Sequence, residues 1–428
     1  MPVGILADRY KRMSQTLKLT NGMVITATGD PPFQGGVAVD NGIIVDVFHG
    51  SAPAGTGATV IDVDGRSLLP GLIDAHVHAT AVDVDIQLQA SRRFESEVAV
   101  LAARSLTEML ERGFTTVRDA GGADAGLRRA LEQGAFPGPR LLVSGRPITQ
   151  TGGHGDQRPA AEWSAGCDCR PGPHVGMVSA IADGPDEVRQ AVREELRRGA
   201  NQIKVMASGG VMSPTDPLTA VQYSLAEISA AVLAAQAVGT YVLAHAYTAE
   251  AVQICAEAGV RSIEHGNLID EETARFMAMR GTFLVPTLVT YEKLHTEGPG
   301  HGIGPDRLHK LAAVLDAGLE SLEMAQHSGV KIGSGSDLLG PMRRYQGDEV
   351  ALQAQALGAM GAIIACTRTN AELLHLEGEI GTLEPGKRAD LVVVDGDVLA
   401  DPGLIGQADK TALVVQRGNI AISRLDTE

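Results

Sequence analysis

Cysteine is scarce in this chain: four in 428 residues, with only Cys167 and Cys169 close together. That number implies no disulfide framework, and a single Cys-x-Cys lacks the second pair that a structural zinc site needs, so it reads as a reduced loop pair. Basic residues are also in deficit, with 36 Lys and Arg against 52 Asp and Glu and a formal charge of -16. No basic cluster offsets this locally, which disfavours phosphate backbones and anionic lipid surfaces and excludes nucleic acid as an expected partner. No uninterrupted apolar run reaches the roughly 18 residues of a spanning helix, and the first residues carry no signal-peptide pattern. The expectation is a cytoplasmic protein with no membrane partner. Internal repeats and low-complexity tracts are absent as well.

The length suits one large domain with a smaller one. Residues 17–68 read as short alternating strands punctuated by Asn21-Gly22, Asp40-Asn41-Gly42 and Asp64-Gly65. Beyond them the texture changes to apolar runs separated by helical patterns, which predicts βα units and a parallel sheet. Eight runs qualify as strands: 69–76, 115–119, 140–144, 202–206, 241–245, 262–265, 282–286 and 330–334. Eight is the closing number of a (β/α)₈ barrel. Helical patterns fall at 95–112, 185–198, 225–238, 249–258, 308–328 and within 349–376. The chain ends in β patterns around 391–394 and 412–422. The predicted organisation is therefore an α/β protein: a (β/α)₈ TIM-type barrel over 69–380, and a small β-sandwich built from 1–68 and 381–428. Two long loops, 147–184 and the segment around Gly298, suit lids or binding loops.

The chemistry concentrates at strand ends. In Pro70-Gly71-Leu72-Ile73-Asp74-Ala75-His76-Val77-His78, two histidines at i and i+2 face the same way along a strand and can aim both imidazoles at one point. Barrel active sites lie at the C-terminal ends of the strands. Lys204, His245, His265 and Asp337 end or occupy later runs, which gives six candidate ligands and a metal-dependent hydrolase as the reading. A lone strand histidine is usually a packing residue, but four at strand ends have no bland explanation. Lys204, between Ile203 and Val205, would bury an ammonium at a cost of several kcal/mol unless paired, neutralised or modified. Arg343 and Arg344 follow the last run and offer guanidinium forks to a substrate carboxylate, although a solvated loop is the commoner fate of such a pair. Asp119 suits a buried hydrogen-bonding role, and Glu264, one residue before His265, is expected on the other strand face. His49, His174, His295, His301, His309, His327 and His375 match no ligand pattern.

These motifs, with Thr115-Thr116-Val117-Arg118-Asp119, the glycine-flanked His154, Glu264-His265-Gly266 and Ile380-Gly381-Thr382-Leu383-Glu384-Pro385-Gly386-Lys387-Arg388-Ala389-Asp390, resemble the amidohydrolase superfamily. The similarity is to its imidazolonepropionase-like branch with Xaa-Pro dipeptidases, and spans nearly the whole chain. The resemblance implies that Lys204 takes up CO₂ as a carbamate bridging two divalent metals. It places His76, His78 and Asp337 on one metal and His245 and His265 on the other, with a hydroxide between them. Zinc is the expected metal, with manganese, cobalt or iron as further options. It further implies that Asp337 moves the proton to the leaving nitrogen, that His154 hydrogen-bonds the scissile carbonyl oxygen, and that Tyr223 contacts substrate.

The expected activity is hydrolysis of an amide joining an acyl group to an amino or imino acid, in dipeptides or N-acyl amino acids. Ochratoxin A-hydrolysing amidohydrolases belong to the same branch, which makes cleavage of ochratoxin A to ochratoxin alpha and phenylalanine a specific candidate. A cyclic-amide hydrolase or deaminase of imidazolonepropionase type is the alternative; such enzymes generally use one metal and lack a lysine at the position of Lys204. A non-catalytic oligomeric scaffold is a third, set against the retention of all six ligands. Relatives form even-numbered homo-oligomers, and the same is expected here.

Overall fold

The computed structural model describes residues 16–52, 57–158, 176–213 and 216–425. Cys167, Cys169 and His174 lie outside these residues.

Strands from both ends of the chain form one eight-stranded mixed sheet. Its centre is Ser67–Pro70, which runs parallel to Leu17–Val24 on one side and antiparallel to Leu391–Val394 on the other. Phe33–Asp40 and Ile43–His49 extend it one way, Thr411–Gln416 and Asn419–Ser423 the other, and Thr59–Asp62 pairs with Leu17–Val24. The terminal segments thus meet as expected, but as a single hydrogen-bonded sheet where a two-sheet sandwich was anticipated. Ser67–Pro70 causes the difference by pairing with strands of both termini.

The apolar run at 69–76 is divided at Gly71, and its first two residues belong to the mixed sheet. After Gly71 the chain enters a parallel sheet of Leu72–Val77, Phe114–Asp119 and Arg140–Val143. A Cβ on Gly71 would sit 2.2 Å from Thr115 Oγ1, so only glycine allows the crossing. A second parallel sheet contains Ile203–Met206, Val242–Thr248, Ser262–Leu268 and Phe283–Val285, with the short strands Ile148–Thr149 and Ala180–Ile181 at its edge. The expected eighth strand at 330–334 is reduced to a single bridge between Leu284 and Ile332. Here Gly333-Ser334-Gly335-Ser336 gives up ladder bonds for side-chain bonds: Asn370 Oδ1 accepts from Ser334 N (3.0 Å), and Asn370 Nδ2 donates to the carbonyls of Ile73 and Ser334. This segment still joins the two sheets, since Gly333 N donates to Leu284 O (2.8 Å) and Ala75 N to Ser334 O (2.9 Å).

Helix boundaries follow local chemistry. Leu225–Gln236 starts at a capping box of Ser224 and Glu227, and Ala249–Ala258 runs from a Thr248 cap to Gly259 in the left-handed region. The helix expected over 308–328 is two, Pro305–Leu315 and Ala317–His327, meeting at Asp316. The helical stretch Asp348–Leu373 is long and apolar enough to cross a membrane by composition. It is, however, kinked at Gly358 and continues through a π-helical turn, Ala365–Thr369, while Val350, Ala362, Ile363 and Cys366 join a core shared with Leu72, Val117, Val392 and Val414.

Leu391 is fully buried among Leu17, Leu68 and Leu413 in the mixed sheet. Leu391→Ala is expected to lower unfolding free energy by about 2–5 kcal/mol, measured by denaturant titration.

Candidate metal centre

Four imidazoles converge above the parallel strands, and each is tied on one nitrogen. His76 Nδ1 lies 2.7 Å from Glu264 Oε2, His78 Nδ1 2.8 Å from Gly121 O, His245 Nε2 3.0 Å from Gly209 O and His265 Nδ1 2.7 Å from Thr287 Oγ1. A ring whose proton is held by such an acceptor presents its other nitrogen as a lone pair, the state that a metal requires. The buried Nε2 of His76 has no hydrogen-bond partner, and Asp337 Oδ1 lies 3.4 Å from it and 3.2 Å from His78 Nε2. Ligand atoms of His76, His78 and Asp337 all fall within 4.8 Å of one another, a donor set suited to a divalent cation. The His265 ring is 5.2 Å from that of His76 and 4.6 Å from that of His245, which brings the second pair of imidazoles to the same cavity.

Lys204 stands among them, 1 % exposed and with no hydrogen bond among the described residues. Burial draws its amine down to about 8, against the pull of Glu264 and Asp337. Burial likewise holds His76, His245 and His265 well below the usual imidazole range, so all three are neutral. His78 moves upward, because Asp337 outweighs its burial. Burial alone would raise the Asp337 carboxyl; its interactions with His76, His78, which hydrogen-bonds it, and Lys204 reverse this and hold it below the ordinary value.

The backbone is bent to bring these groups together. His265, Thr287 and Asp337 have φ of 80°, 51° and 50°, left-handed conformations that non-glycine residues adopt only under local constraint. Asp74 supplies one such constraint: its carboxylate accepts from the backbone of His76 (3.0 Å) and Ser336 (3.1 Å), and from Ser336 Oγ and Gln346 Nε2. Gly335 completes the junction, since a Cβ there would lie 2.6 Å from His76 Cβ.

His154 stacks on His245 with ring centroids 4.2 Å apart, and its buried Nδ1 has no partner. Burial pushes its pKa down to about 4, so it carries a single N–H at neutral pH. A Cβ on Gly210 would lie 2.1 Å from the ring, so this placement depends on glycine. The cavity, about 70 Å³, is lined by these groups with Met177, Met206, Met212, Leu294 and Leu339, and Lys204 is the only lysine or arginine in its described wall.

Three expected substrate contacts lie elsewhere. Tyr223 is buried in the core and donates to Ala182 O (2.8 Å). Arg343 is buried and donates to the carbonyls of Ala79 and Ala81 and to Ser105, while Arg344 pairs on the surface with Glu297 (2.7 Å). Both arginines line a separate surface groove. The cavity wall instead contains Tyr247 and Tyr291, joined by a 3.0 Å hydroxyl bond, which sequence patterning did not single out. Glu264 is the other omission. It is fully buried, accepts from Arg118 Nη2 (2.8 Å), and is the acceptor that holds His76. Asp119 fills the buried role expected of it, accepting from Ala79, Gly121 and Ala123 N–H groups.

Comparison with known proteins agrees with this geometry. The site defines a metal-dependent hydrolase of C–N bonds. The amidohydrolase family model matches residues 67–421, and the chain belongs to that family. It is 32 % identical over 344 residues to ochratoxinase of Aspergillus niger, covering 78 % of this chain and 71 % of the relative. A prolidase solved with N-methylphosphonate-L-proline superposes with a TM-score of 0.91 at 42 % identity, over 95 % of this chain and 99 % of that one. A Xaa-Pro dipeptidase with methionine bound in its active site gives 0.85 at 30 % identity, over 95 % and 99 %.

Two predictions follow from the groups behind the cavity. Glu264→Gln should weaken metal binding by about 10- to 100-fold, read by competition with a chelator, with the fold retained by circular dichroism. Glu349 accepts from Val289 N (2.8 Å) at the start of the helix Leu288–Glu297, which carries Tyr291. Burial raises its carboxyl from 4.5 to about 8 despite that bond. Because the folded value lies above the unfolded one, its stabilising contribution is complete below pH 4.5 and lost as pH rises towards 8. Stability should therefore decline over that window, and Glu349→Gln should flatten the decline in urea titrations.

Proposed function

We propose that this protein is a binuclear amidase that cleaves the amide between an acyl group and an amino or imino acid. The observation that carries the reading is Lys204, a buried amine near 8 among four imidazoles that are each tied on one nitrogen. A free amine of that kind can attack CO₂, lose a proton and become a carbamate, which turns an unpaired cation into a bidentate anion. His76, His78 and Asp337 would then hold one divalent metal, His245 and His265 the other, and the carbamate both; zinc suits this donor set, as do manganese, cobalt and iron. Bound metals supply Lewis acidity and lower the pKa of water. Asp337 accepts the proton of the attacking water and delivers it to the leaving nitrogen, without which an amide does not depart. Neutral His154 donates its N–H to the carbonyl oxygen as charge develops there.

In this reading the two parallel sheets are parts of one (β/α)₈ barrel over residues 69–380, flanked by β structure from 1–68 and 381–428. The protein is cytoplasmic, acts on a small-molecule amide without nucleic-acid or membrane partners, and assembles as a homo-oligomer of even order. The prolidase and ochratoxinase relatives support two substrate groups: Xaa-Pro and other dipeptides, and N-acyl amino acids including ochratoxin A.

The test is amino-acid release by zinc-loaded protein from a panel of Xaa-Pro dipeptides, N-acyl amino acids, ochratoxin A and imidazolonepropionate, with metal measured on the same sample. Release with two metals per chain is expected. Ring opening with one metal would replace this reading by the cyclic-amide one. Lys204→Ala and His245→Ala should abolish turnover with the fold intact, and near wild-type turnover by metal-checked Lys204→Ala would overturn the carbamate.

A further inference from the structure

His154 and His245 both rest on one loop, at consecutive residues. Gly209 O holds His245 Nε2 at 3.0 Å, and Gly210 lies against the His154 ring, where a Cβ would come within 2.1 Å. The loop follows the strand Ile203–Met206 and is closed at its base by a bridge between Ser208 and Val221. Its described residues from 209 to 216 belong to no helix or strand, so their placement depends on side-chain bonds. The buried Asp216 carboxylate supplies one set, accepting from Gly210 N (3.1 Å), Ser213 Oγ and Gln222 Nε2 (2.8 Å). Gln222 Oε1 in turn accepts from His154 N (2.8 Å), which joins the loop to the backbone of that histidine.

Lys310 supplies the other set from a distant element, the helix Pro305–Leu315. Its Nζ donates to the carbonyls of Gly210 (3.3 Å), Ser213 (3.1 Å) and Asp216 (2.6 Å). A lysine ammonium has three N–H donors, so this one is committed wholly to the backbone of a single loop. Bonds from an ionised donor are also the stronger kind. Arg307, one turn earlier on the same helix, pairs instead with Asp85 (3.2 Å) and reaches Gln87 (3.4 Å). The two cations of one helix thus hold two different segments, and only that of Lys310 carries the supports of His154 and His245.

We propose that Lys310 is a positioning residue for both histidines. By fixing the carbonyls of Gly210, Ser213 and Asp216 it keeps the Gly209 carbonyl on His245 Nε2, which leaves Nδ1 as the lone pair, and keeps Gly210 against the His154 ring. Loss of an acceptor behind a metal-binding histidine weakens metal affinity by about 10- to 100-fold. Loss of a donor used only as charge develops lowers kcat and leaves KM little changed. These two consequences rest on the binuclear reading above; the state of the His245 ring does not.

The experiment compares full-length Lys310→Met with Arg307→Met, the matched change on the same helix. In zinc titrations against a chelator, wild type is expected to show two steps. Lys310→Met should weaken one of them by about tenfold or more and leave the other unchanged, while Arg307→Met alters neither. At saturating zinc, kcat of Lys310→Met on the substrate that wild type turns over should fall by about tenfold or more with KM little changed. The metal-free protein gives a readout that needs neither zinc nor substrate. In ¹⁵N-histidine NMR spectra the His245 ring, assigned by its loss in His245→Ala, should be one tautomer in wild type and a mixture in Lys310→Met. A single His245 tautomer in Lys310→Met, or zinc steps equal to those of wild type, overturns the proposal. Equal weakening by Arg307→Met does so too, because it would make the effect a general loosening of the helix. One zinc step in wild type would instead overturn the binuclear reading, and the tautomer comparison then decides the role of Lys310 by itself. If Lys310→Met does not fold, Lys310→Gln, which retains N–H donors without the charge, takes its place in every measurement.

Discussion

The tethering of each imidazole on one nitrogen is the constraint on which the rest of the structure depends. Four imidazoles, one amine and one carboxylate share a desolvated cavity, and imidazoles serve as ligands only if the correct nitrogen faces inward. The anchors come from unrelated parts of the chain: a carboxylate for His76, the backbone carbonyls of Gly121 and Gly209 for His78 and His245, and a hydroxyl for His265. The buried Arg118–Glu264 pair gives His76 a firm base. Such a pair contributes little net stability, because its desolvation offsets its attraction. Its value here is positional.

The wall of the cavity is stabilised with similar economy of parts. Thr287 holds His265 and also begins the helix Leu288–Glu297, whose first turn is held by Glu349 from another helix. Asp74 bonds to the backbones that carry His76 and Asp337, so the two elements cannot shift relative to each other without breaking buried hydrogen bonds. Glycine makes these approaches possible: Gly335 admits the backbone of His76 and Gly210 the ring of His154.

Much of the site was legible in the sequence because metal ligation leaves a periodic trace. Histidines at i and i+2 and single polar residues at the ends of apolar runs stand out against β patterning, and the buried lysine stands out more. Glu264 was not legible for an instructive reason. Strict alternation places it opposite His265, so it reads as facing away from the site; the left-handed φ of His265 breaks that alternation and lets both residues serve the same centre. Arg343 misled in the opposite sense. Its guanidinium suits a carboxylate, but in the fold it is consumed by backbone carbonyls. Tyr247 and Tyr291 line the cavity from a strand and a helix far apart in sequence, a relation that no local pattern encodes. At the scale of the fold, the β character of the terminal segments and their meeting were readable, whereas the division of one apolar run at Gly71 depends on Thr115, a contact made only in three dimensions.

The Asp74–Ser336 bond joins residues 262 positions apart, and the neighbouring Ser67–Val398 bond spans 331. Closing such long loops is slow, since their entropy must be lost before the contacts they create can form. A nascent chain that has emerged only as far as Leu268 holds all four imidazoles but neither Asp337 nor the Thr287 anchor of His265. The donor set of His76, His78 and Asp337 is thus assembled only once the segment after Leu284 has folded back onto the earlier strands.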